Sequence, residues 1–275
     1  MNTQAFFLPS DGPAGGQRFC LYHPAQGEAA RSAIVYVHPF AEEMNKSRRM
    51  AALQSRAFAQ AGHAVLQIDL LGCGDSSGDF GDARWTDWVN DIVQASHWLQ
   101  SRAQAPLWLW GLRAGCLLAA DAAHRLNKLS GLLFWQPATS GKLVLQLFLR
   151  LKTASDMLAG EAKQAMQRMR ARLAAGESVE VAGYHLAGAL ASSLEEAALA
   201  PATHVPRLEW LELATRADAA LSPASAAKLS QWQDARRVVR SQMVNGPSFW
   251  QTTEIEEAPA LLDASVMALN ETVAA

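Results

Sequence analysis

Residues 106–115 read Pro-Leu-Trp-Leu-Trp-Gly-Leu-Arg-Ala-Gly, an apolar strand that runs through Gly111-Leu112-Arg113-Ala114-Gly115 into a helix, Cys116 to Leu126. A strand–turn–helix of this kind presents the residue between its two glycines at a sharp elbow, a position suited to a nucleophilic Ser, Cys or Asp. Arg113 stands there instead. A guanidinium stays protonated and cannot attack a carbonyl. It can pair with a carboxylate, or hold an anionic ligand, carboxylate or phosphate, in bidentate geometry. A buried arginine with no anionic partner is severely destabilising, so Arg113 is expected to bond Asp218 or one of Glu42 and Glu43.

A second motif, Asp69-Leu-Leu-Gly72-Cys-Gly74-Asp75-Ser76-Ser77-Gly78, follows an apolar strand. With the elbow it resembles the α/β-hydrolase superfamily, in which such glycines permit a tight turn beside the nucleophile loop. The rival reading, phosphate binding, lacks the Gly-x-Gly-x-x-Gly spacing and a helix opening from the glycines. The loop's role is then structural, and Ser76 and Ser77 are poor nucleophiles.

The superfamily resemblance implies further positions. After the first core strand comes His38-Pro39-Phe40-Ala41-Glu42-Glu43-Met44-Asn45-Lys46-Ser47, where hydrolases place an oxyanion loop. Pro39 has no N–H, which leaves the N–H of Phe40, with that of Ala114 after the elbow residue, as candidate oxyanion donors. His38 ends the strand and is expected at the pocket mouth. Glu42 and Glu43 oppose a developing negative charge there. They either favour the N-terminus of a helix capped by Asn45 or Ser47 or pair with Arg113, and the two roles are compatible. Asp218 follows the strand Leu208–Leu213, where the superfamily carries its acid. It either faces the pocket, sits in a surface loop, or caps a helix beginning near Pro223. No histidine follows the last strand, Arg237–Met243; the loop there is Asn245-Gly-Pro-Ser-Phe-Trp-Gln251. Serine activation by a neighbouring imidazole is therefore not available. His185 and His204 lie in or beside the 141–200 segment, and Cys116 is expected in the core.

These residues need a scaffold. Two β-like runs, Gln4–Leu8 and Arg18–Tyr22, predict a hairpin. Strands Ser32–Val37, His63–Leu70, Leu107–Trp110, Leu132–Trp135, Leu208–Leu213 and Arg237–Met243 alternate with helices Lys46–Gln60, Arg84–Arg102, Cys116–Leu126, Pro223–Trp232 and Pro259–Asn270. That alternation predicts an α/β protein with a mostly parallel central sheet flanked by helices. Residues 141–200 carry only helical patterning and read as a lid inserted over the strand ends, where open α/β sheets place their chemistry. The expected organisation is a core of 1–140 and 201–275 with a lid of 141–200.

Composition agrees. The 275 residues are 50% apolar, enough for a sizeable core, and the net charge of −2 gives no electrostatic case for nucleic acid. Three scattered cysteines form no disulfide framework and no metal-ligand set, and no cofactor motif is present, so neither metal nor cofactor is expected. There is no signal-peptide pattern and no run of about 18 apolar residues, so a cytoplasmic protein without a transmembrane segment is expected. Nine tryptophans, several in strands, are expected in the core.

The run His38 to Met50, with Asp69–Gly78 and Trp110–Gly115, resembles the exosortase A system-associated hydrolase 2 family over essentially the whole chain. That resemblance implies an α/β-hydrolase fold in a bacterial setting of exosortase, PEP-CTERM sorting and exopolysaccharide biosynthesis. It also makes arginine at the elbow a family pattern. It implies no substrate. Three readings of function follow. The chain is a hydrolase-fold protein that binds a small acyl or anionic ligand under the lid on Arg113, with Asp218, Glu42, Glu43 and His38 around it. Or it is a hydrolase or acyltransferase with Glu42 or Glu43 as general base and Arg113 stabilising the oxyanion. Or it is a scaffold in the exosortase or exopolysaccharide machinery, with Leu143–Leu151 as a partner or membrane-surface contact rather than lid packing. A homo-oligomer fits any of the three.

Overall fold

The computed structural model describes residues 3–155, 161–200, 202–216, 218–233 and 237–271. In chain order the elements are β1 (Gln4–Pro9), β2 (Gln17–His23), β3 (Ala33–Val37), α1 (Glu42–Gln60), β4 (Ala64–Ile68), α2 (Trp85–Ala103), β5 (Leu107–Leu112), α3 (Gly115–Ala123) and β6 (Gly131–Trp135). Then come α4 (Gly141–Ser155), α5 (Glu161–Ala174), β7 (Val179–Val181), β8 (Tyr184–Leu186) and α6 (Gly188–Glu196). The chain closes with β9 (Arg207–Ala214), α7 (Pro223–Trp232), β10 (Val238–Asn245) and α8 (Pro259–Asn270).

Eight strands form one sheet in the order β1-β2-β4-β3-β5-β6-β9-β10. β1 and β2 are the expected hairpin, with Phe6 opposite Cys20. β2 joins β4 antiparallel, and the ladder from β4 to β10 is parallel. The central strands β3, β5 and β6, buried on both faces, carry no charged or amide side chain, and alternate residues feed two cores. Ile34, Tyr36, Trp108, Trp110, Leu133 and Trp135 pack with Met50 and Phe58 of α1 and Leu261 and Ala264 of α8. Val35, Val37, Leu109, Leu132 and Phe134 face α2, α3 and the 141–200 segment. The strand tryptophans are core residues. Tyr36, Trp110 and Trp135 form a ladder across three strands at 4.3 and 4.6 Å between ring centroids, and Trp135 Nε1 donates to Ser265 Oγ on α8 at 2.8 Å.

Two expectations need correction. The 141–200 segment is not wholly helical: β7 and β8 form a small antiparallel hairpin, Glu180 opposite His185. Each strand has three residues, too few for a period-two pattern to stand out. α1 begins at Glu42, not Lys46, so Asn45 and Ser47 lie inside it and cap nothing. Ser47 Oγ donates to the Glu43 carbonyl at 2.7 Å, and Asn45 Nδ2 donates to the Tyr184 hydroxyl on β8 at 3.3 Å. Glu42 and Glu43 do occupy the first turn, where carboxylates are favoured by the helix dipole.

The glycine loop after β4 is a structural element, as expected. Ser76 Oγ donates to the Asp69 carbonyl and accepts from Phe19 N, and Ser77 Oγ accepts from Gln17 N at 3.0 Å. Both hydroxyls stitch the loop to β2. Beneath it lies a buried ion pair, Arg18 Nε to Asp91 Oδ2 at 2.8 Å, with side chains 1% and 2% exposed. Asp91 Oδ2 also accepts the N–H of Leu71 at 2.9 Å.

Candidate ligand-binding site

The elbow is held by close backbone packing. A Cβ on Gly115 would lie 2.2 Å from the Val37 carbonyl oxygen and 2.7 Å from that of His38. One on Gly111 would lie 2.7 Å from Cys116 Cα. Both glycines let α3 turn back hard against the ends of β3 and β5. Arg113, between them, sits at φ +55°, a left-handed conformation costing a non-glycine residue roughly 1 kcal/mol or more. Its N–H donates to the Trp135 carbonyl at 3.0 Å, and its carbonyl accepts from Ala138 N at 3.1 Å and Cys116 N at 3.1 Å. Ala41 and Gln136 also have positive φ. The ends of three adjacent strands, β3, β5 and β6, are thus each followed by a strained residue. Gly115→Ala is expected to cost about 2 kcal/mol, since a backbone carbonyl cannot step aside as a side chain can; a denaturant titration checks it, and an unchanged midpoint would contradict the packing argument.

The Arg113 guanidinium bonds one of the expected carboxylates. Its Nε lies 3.4 Å from Glu43 Oε1, with side chains 15% and 17% exposed. That is a long, end-on contact rather than the bidentate fork that makes arginine–carboxylate pairs strong. Arg113 Cζ also lies 5.5 Å from the Trp250 ring centroid, within range of a cation–π contact. Its two Nη groups have no hydrogen-bond acceptor among the described residues.

Arg113 lines a cavity of about 270 Å³ together with Phe40, Glu42, Glu43, Lys46, Val144, Leu147, Phe148, Leu151, Trp250 and Gln251. One wall is the start of α1, one is α4, and one is the loop after β10. Lys46 Nζ ties the first to the third by donating to the Gln251 carbonyl at 3.3 Å. The volume lies just below the range usual for ligand cavities, about 300–1,000 Å³. Two polar atoms of its lining residues are buried without a partner, Glu42 Oε2 and Trp250 Nε1, an arrangement native proteins seldom leave unexplained. Burial pushes the Glu43 carboxyl above the usual carboxylate range; Arg113 opposes that and Glu42 adds to it. Burial raises Glu42 as well, opposed by Lys46.

The remaining candidates are elsewhere. Asp218 does not meet Arg113 and caps no helix. Its side chain is 75% exposed and paired with Arg216 at 2.8 Å, while Ser222 caps α7. An arginine two residues away on the same exposed loop is a nearer partner than one across the sheet. His38 does not open onto the cavity. It is buried, its Nδ1 donates to the Pro39 carbonyl at 2.8 Å, and its Nε2 accepts from Leu70 N at 3.3 Å. Burial lowers its pKa below the ordinary histidine value. Both ring nitrogens are spent on joining two loops. Cys116 is buried, as expected. The N–H groups of Phe40 and Ala114 take no partner among the described residues. Phe40 lines the cavity, its ring edge-on to Phe148 of α4 at 5.1 Å. His185 is exposed, and His204 Nε2 bonds the Leu126 carbonyl at 2.8 Å. Among the described residues no group of three His, Cys, Asp or Glu could hold a metal ion.

Residue types alone did not indicate Lys46, Trp250 or Gln251. The signal available was positional: Trp250 sits in the loop after β10, where the resemblance to α/β-hydrolases implies a histidine, and its ring lies beside Arg113.

Comparison with known proteins places this geometry in context. Among solved structures the chain resembles a highly thermostable carboxyl esterase from Bacillus coagulans in complex with glycerol, with TM-score 0.65, 15% identity and 98% of both chains covered. It also resembles the α/β hydrolase GrgF from Penicillium sp. sh18, at TM-score 0.63, 14% identity and 98% of both chains. A third similar structure is Est1E from Butyrivibrio proteoclasticus, at TM-score 0.60 and 14% identity, covering 96% of this chain and 95% of that one. At such identities the likeness shows the α/β-hydrolase fold. No curated protein matches the chain. Residues 28–207, the larger part of the sequence and the part that holds the elbow and the glycine loop, match a hydrolase family. The chain belongs to the serine aminopeptidase, S33 family.

Proposed function

We propose that this hydrolase-family chain binds a small amphiphilic anion, a carboxylate or phosphate head on an aliphatic chain, and does not cleave it by serine chemistry. One observation carries the reading: among the described residues the Arg113 Nη groups have no acceptor, and Arg113 lines a cavity whose far wall is Val144, Leu147, Phe148 and Leu151. Arg113, with Lys46 nearby, takes the anionic head in charge-assisted hydrogen bonds, and the α4 side chains take the aliphatic part. Among the described residues the lining contains no Ser, Cys, Thr or His, so none of them supplies a hydroxyl or thiol nucleophile or an imidazole base. The likeness of residues 38–50 to exosortase A system-associated hydrolase 2 proteins supports a role beside exopolysaccharide or protein-sorting machinery, with the anion drawn from that setting.

A second reading keeps an activity. Glu42 has an unpartnered buried carboxylate oxygen and a raised pKa, which suits a general base for a water molecule; Arg113 and the Phe40 and Ala114 N–H groups would then meet the oxyanion. Hydrolysis of p-nitrophenyl esters, acetate to laurate, separates the two. The binding reading expects turnover by the folded protein no faster than buffer. Turnover well above buffer that collapses in Glu42→Gln and Arg113→Ala would replace it with the second.

The acid pair adds a pH signature. Ionised Glu42 and Glu43 repel an anion, and Glu43 competes for Arg113. Both carboxyls take up protons above the ordinary carboxylate range. Affinity for an alkyl sulfonate, which stays ionised throughout, is expected to rise about tenfold as pH falls through that range, the size of roughly one unit of linked pKa shift. Glu43→Gln should bind tighter at neutral pH and show a flatter profile. Calorimetric titration across pH checks this, and a profile falling toward acid would contradict it.

A further inference from the structure

We propose that β10 is the seam of a two-fold dimer, pairing antiparallel with β10 of a second copy of this chain. β10 ends the eight-stranded sheet and has a strand on one side only. An exposed edge is usually blunted by a short strand, a bulge, Pro or Lys. β10 has none of these: it is eight residues long, contains neither Pro nor Lys, and runs in unbroken register with β9. The opposite edge is treated differently. β1 ends in Pro9, and Gln94 Nε2 of α2 donates to the Pro9 carbonyl at 2.6 Å.

Hydrogen-bond parity fixes which amides face outward. Val238 N donates to the Pro206 carbonyl at 2.8 Å, and Gly246 N to the Ala214 carbonyl at 3.1 Å. The N–H and C=O of one strand residue point to the same side, and successive residues alternate. The even-numbered residues of β10 therefore bond β9. Val239, Ser241 and Met243 aim their main-chain groups at the open edge, where their N–H groups have no partner among the described residues.

Two antiparallel copies related by a two-fold can exchange these groups only in registers centred on a residue. Centring on Arg240 sets two guanidinium groups opposite each other, which is unfavourable. Centring on Gln242 puts Arg240 against Val244. Centring on Ser241 satisfies both faces. Val239, which packs toward the core beneath α7, then meets Met243, and Arg240 meets Gln242 on the α8 face. Val239, Ser241 and Met243 of the two copies form about six main-chain hydrogen bonds across the seam. The charge of Arg240 is already met by Glu271 of its own chain, so no unpaired like charges face each other. This self-complementarity selects a second copy rather than an unrelated strand. The seam also has a flank to cover: Met267 of α8, 63% exposed, lines the groove along the edge with Arg240, Ser241 and Gln242. Pairing holds β10 from both sides, and the loop that follows it carries Trp250 and Gln251, a wall of the Arg113 cavity. The proposal does not depend on what fills that cavity.

Sedimentation velocity of the full chain across the micromolar range tests it, and a dimer is expected. Ser241→Pro removes an N–H that points outward, so the ladder to β9 keeps its bonds and the far-UV circular dichroism should match that of the wild type. Its dimer dissociation constant should rise about a hundredfold, the worth of the two central hydrogen bonds with their acceptors left buried. Ser241→Cys tests the register independently. Directly opposed, hydrogen-bonded residues have Cα atoms about 5.5 Å apart, within reach of a disulfide, so mild oxidation should cross-link two copies. Asn245→Cys, far from its own counterpart in this register, should not cross-link. The native cysteines are buried. A wild type that stays monomeric would overturn the proposal and leave the edge to an extended segment of another protein. A dimer that Ser241→Pro retains would overturn it by assigning the contact to another face. Cross-linking through position 245 and not 241 would overturn the register, and with it the argument for a second copy.

Discussion

Arg113→Ala is expected to weaken dodecanoate binding about a hundredfold. Two charge-assisted hydrogen bonds from the Nη groups are lost, together worth about 3 kcal/mol in a site with restricted water. Arg113→Lys should fall between, since an ammonium keeps the charge but not the fork. Titration calorimetry on the three proteins measures this directly, and equal affinities would remove Arg113 from the site. The same position carries a stability signature. Because Arg113 is at φ +55°, Arg113→Gly should be more stable than Arg113→Ala by about 1 kcal/mol. Either change leaves the Glu43 carboxyl buried without its cation. Its folded pKa then lies further above the unfolded one, so stability falls as pH rises from the ordinary carboxylate value through the raised one. A strained arginine retained where glycine would relax the turn fits a position kept for its side chain.

Asp91→Ala is expected to destabilise the fold by about 4 kcal/mol, the usual cost of stranding one member of a buried pair. Arg18 would keep its contacts to the Gly15 carbonyl and Ser10 Oγ but lose the carboxylate it pairs with, and Leu71 N would lose its acceptor. The effect reaches beyond one pair, because the Leu71 amide opens the glycine loop, and the amide before it, Leu70 N, bonds His38. Replacing both charges, Arg18→Met with Asp91→Leu, should recover most of the loss, since well-packed apolar residues commonly do as well as a buried ion pair. Chemical denaturation of the two singles and the double gives the coupling between them. An additive double would show that the 2.8 Å contact contributes little.

Legibility differed by element. The parallel sheet was readable because its strands, such as Ala33–Val37 and Leu107–Leu112, are short apolar runs between helices of ordinary length. The elbow was readable because glycines at 111 and 115 answer to steric contacts that admit no Cβ. The arginine's need for a carboxylate followed from its charge alone, and Glu43 meets it. Which carboxylate would serve was not readable, because Asp218 is drawn to Arg216 by a contact two residues away. The burial of His38 depends on where the Leu70 amide ends up, a contact between loops far apart in sequence. Trp250 was invisible as a site residue for the same reason: its ring reaches Arg113 only once β10 has taken its place at the sheet edge. The exposure of Leu143, Leu147 and Leu151 on α4 was half-visible, because Leu143 to Leu151 reads as apolar but for Gln146 and Arg150, and only packing decides which leucines are covered.

The most direct test of the account is a crystal structure of the wild-type chain grown with saturating dodecanoate. The account predicts the carboxylate within about 3 Å of both Arg113 Nη groups, as charge-assisted hydrogen bonds require, with the chain lying along Leu147, Phe148 and Leu151. Dodecanoate bound elsewhere, or a cavity with Arg113 folded onto Glu43 and no ligand present, would contradict it.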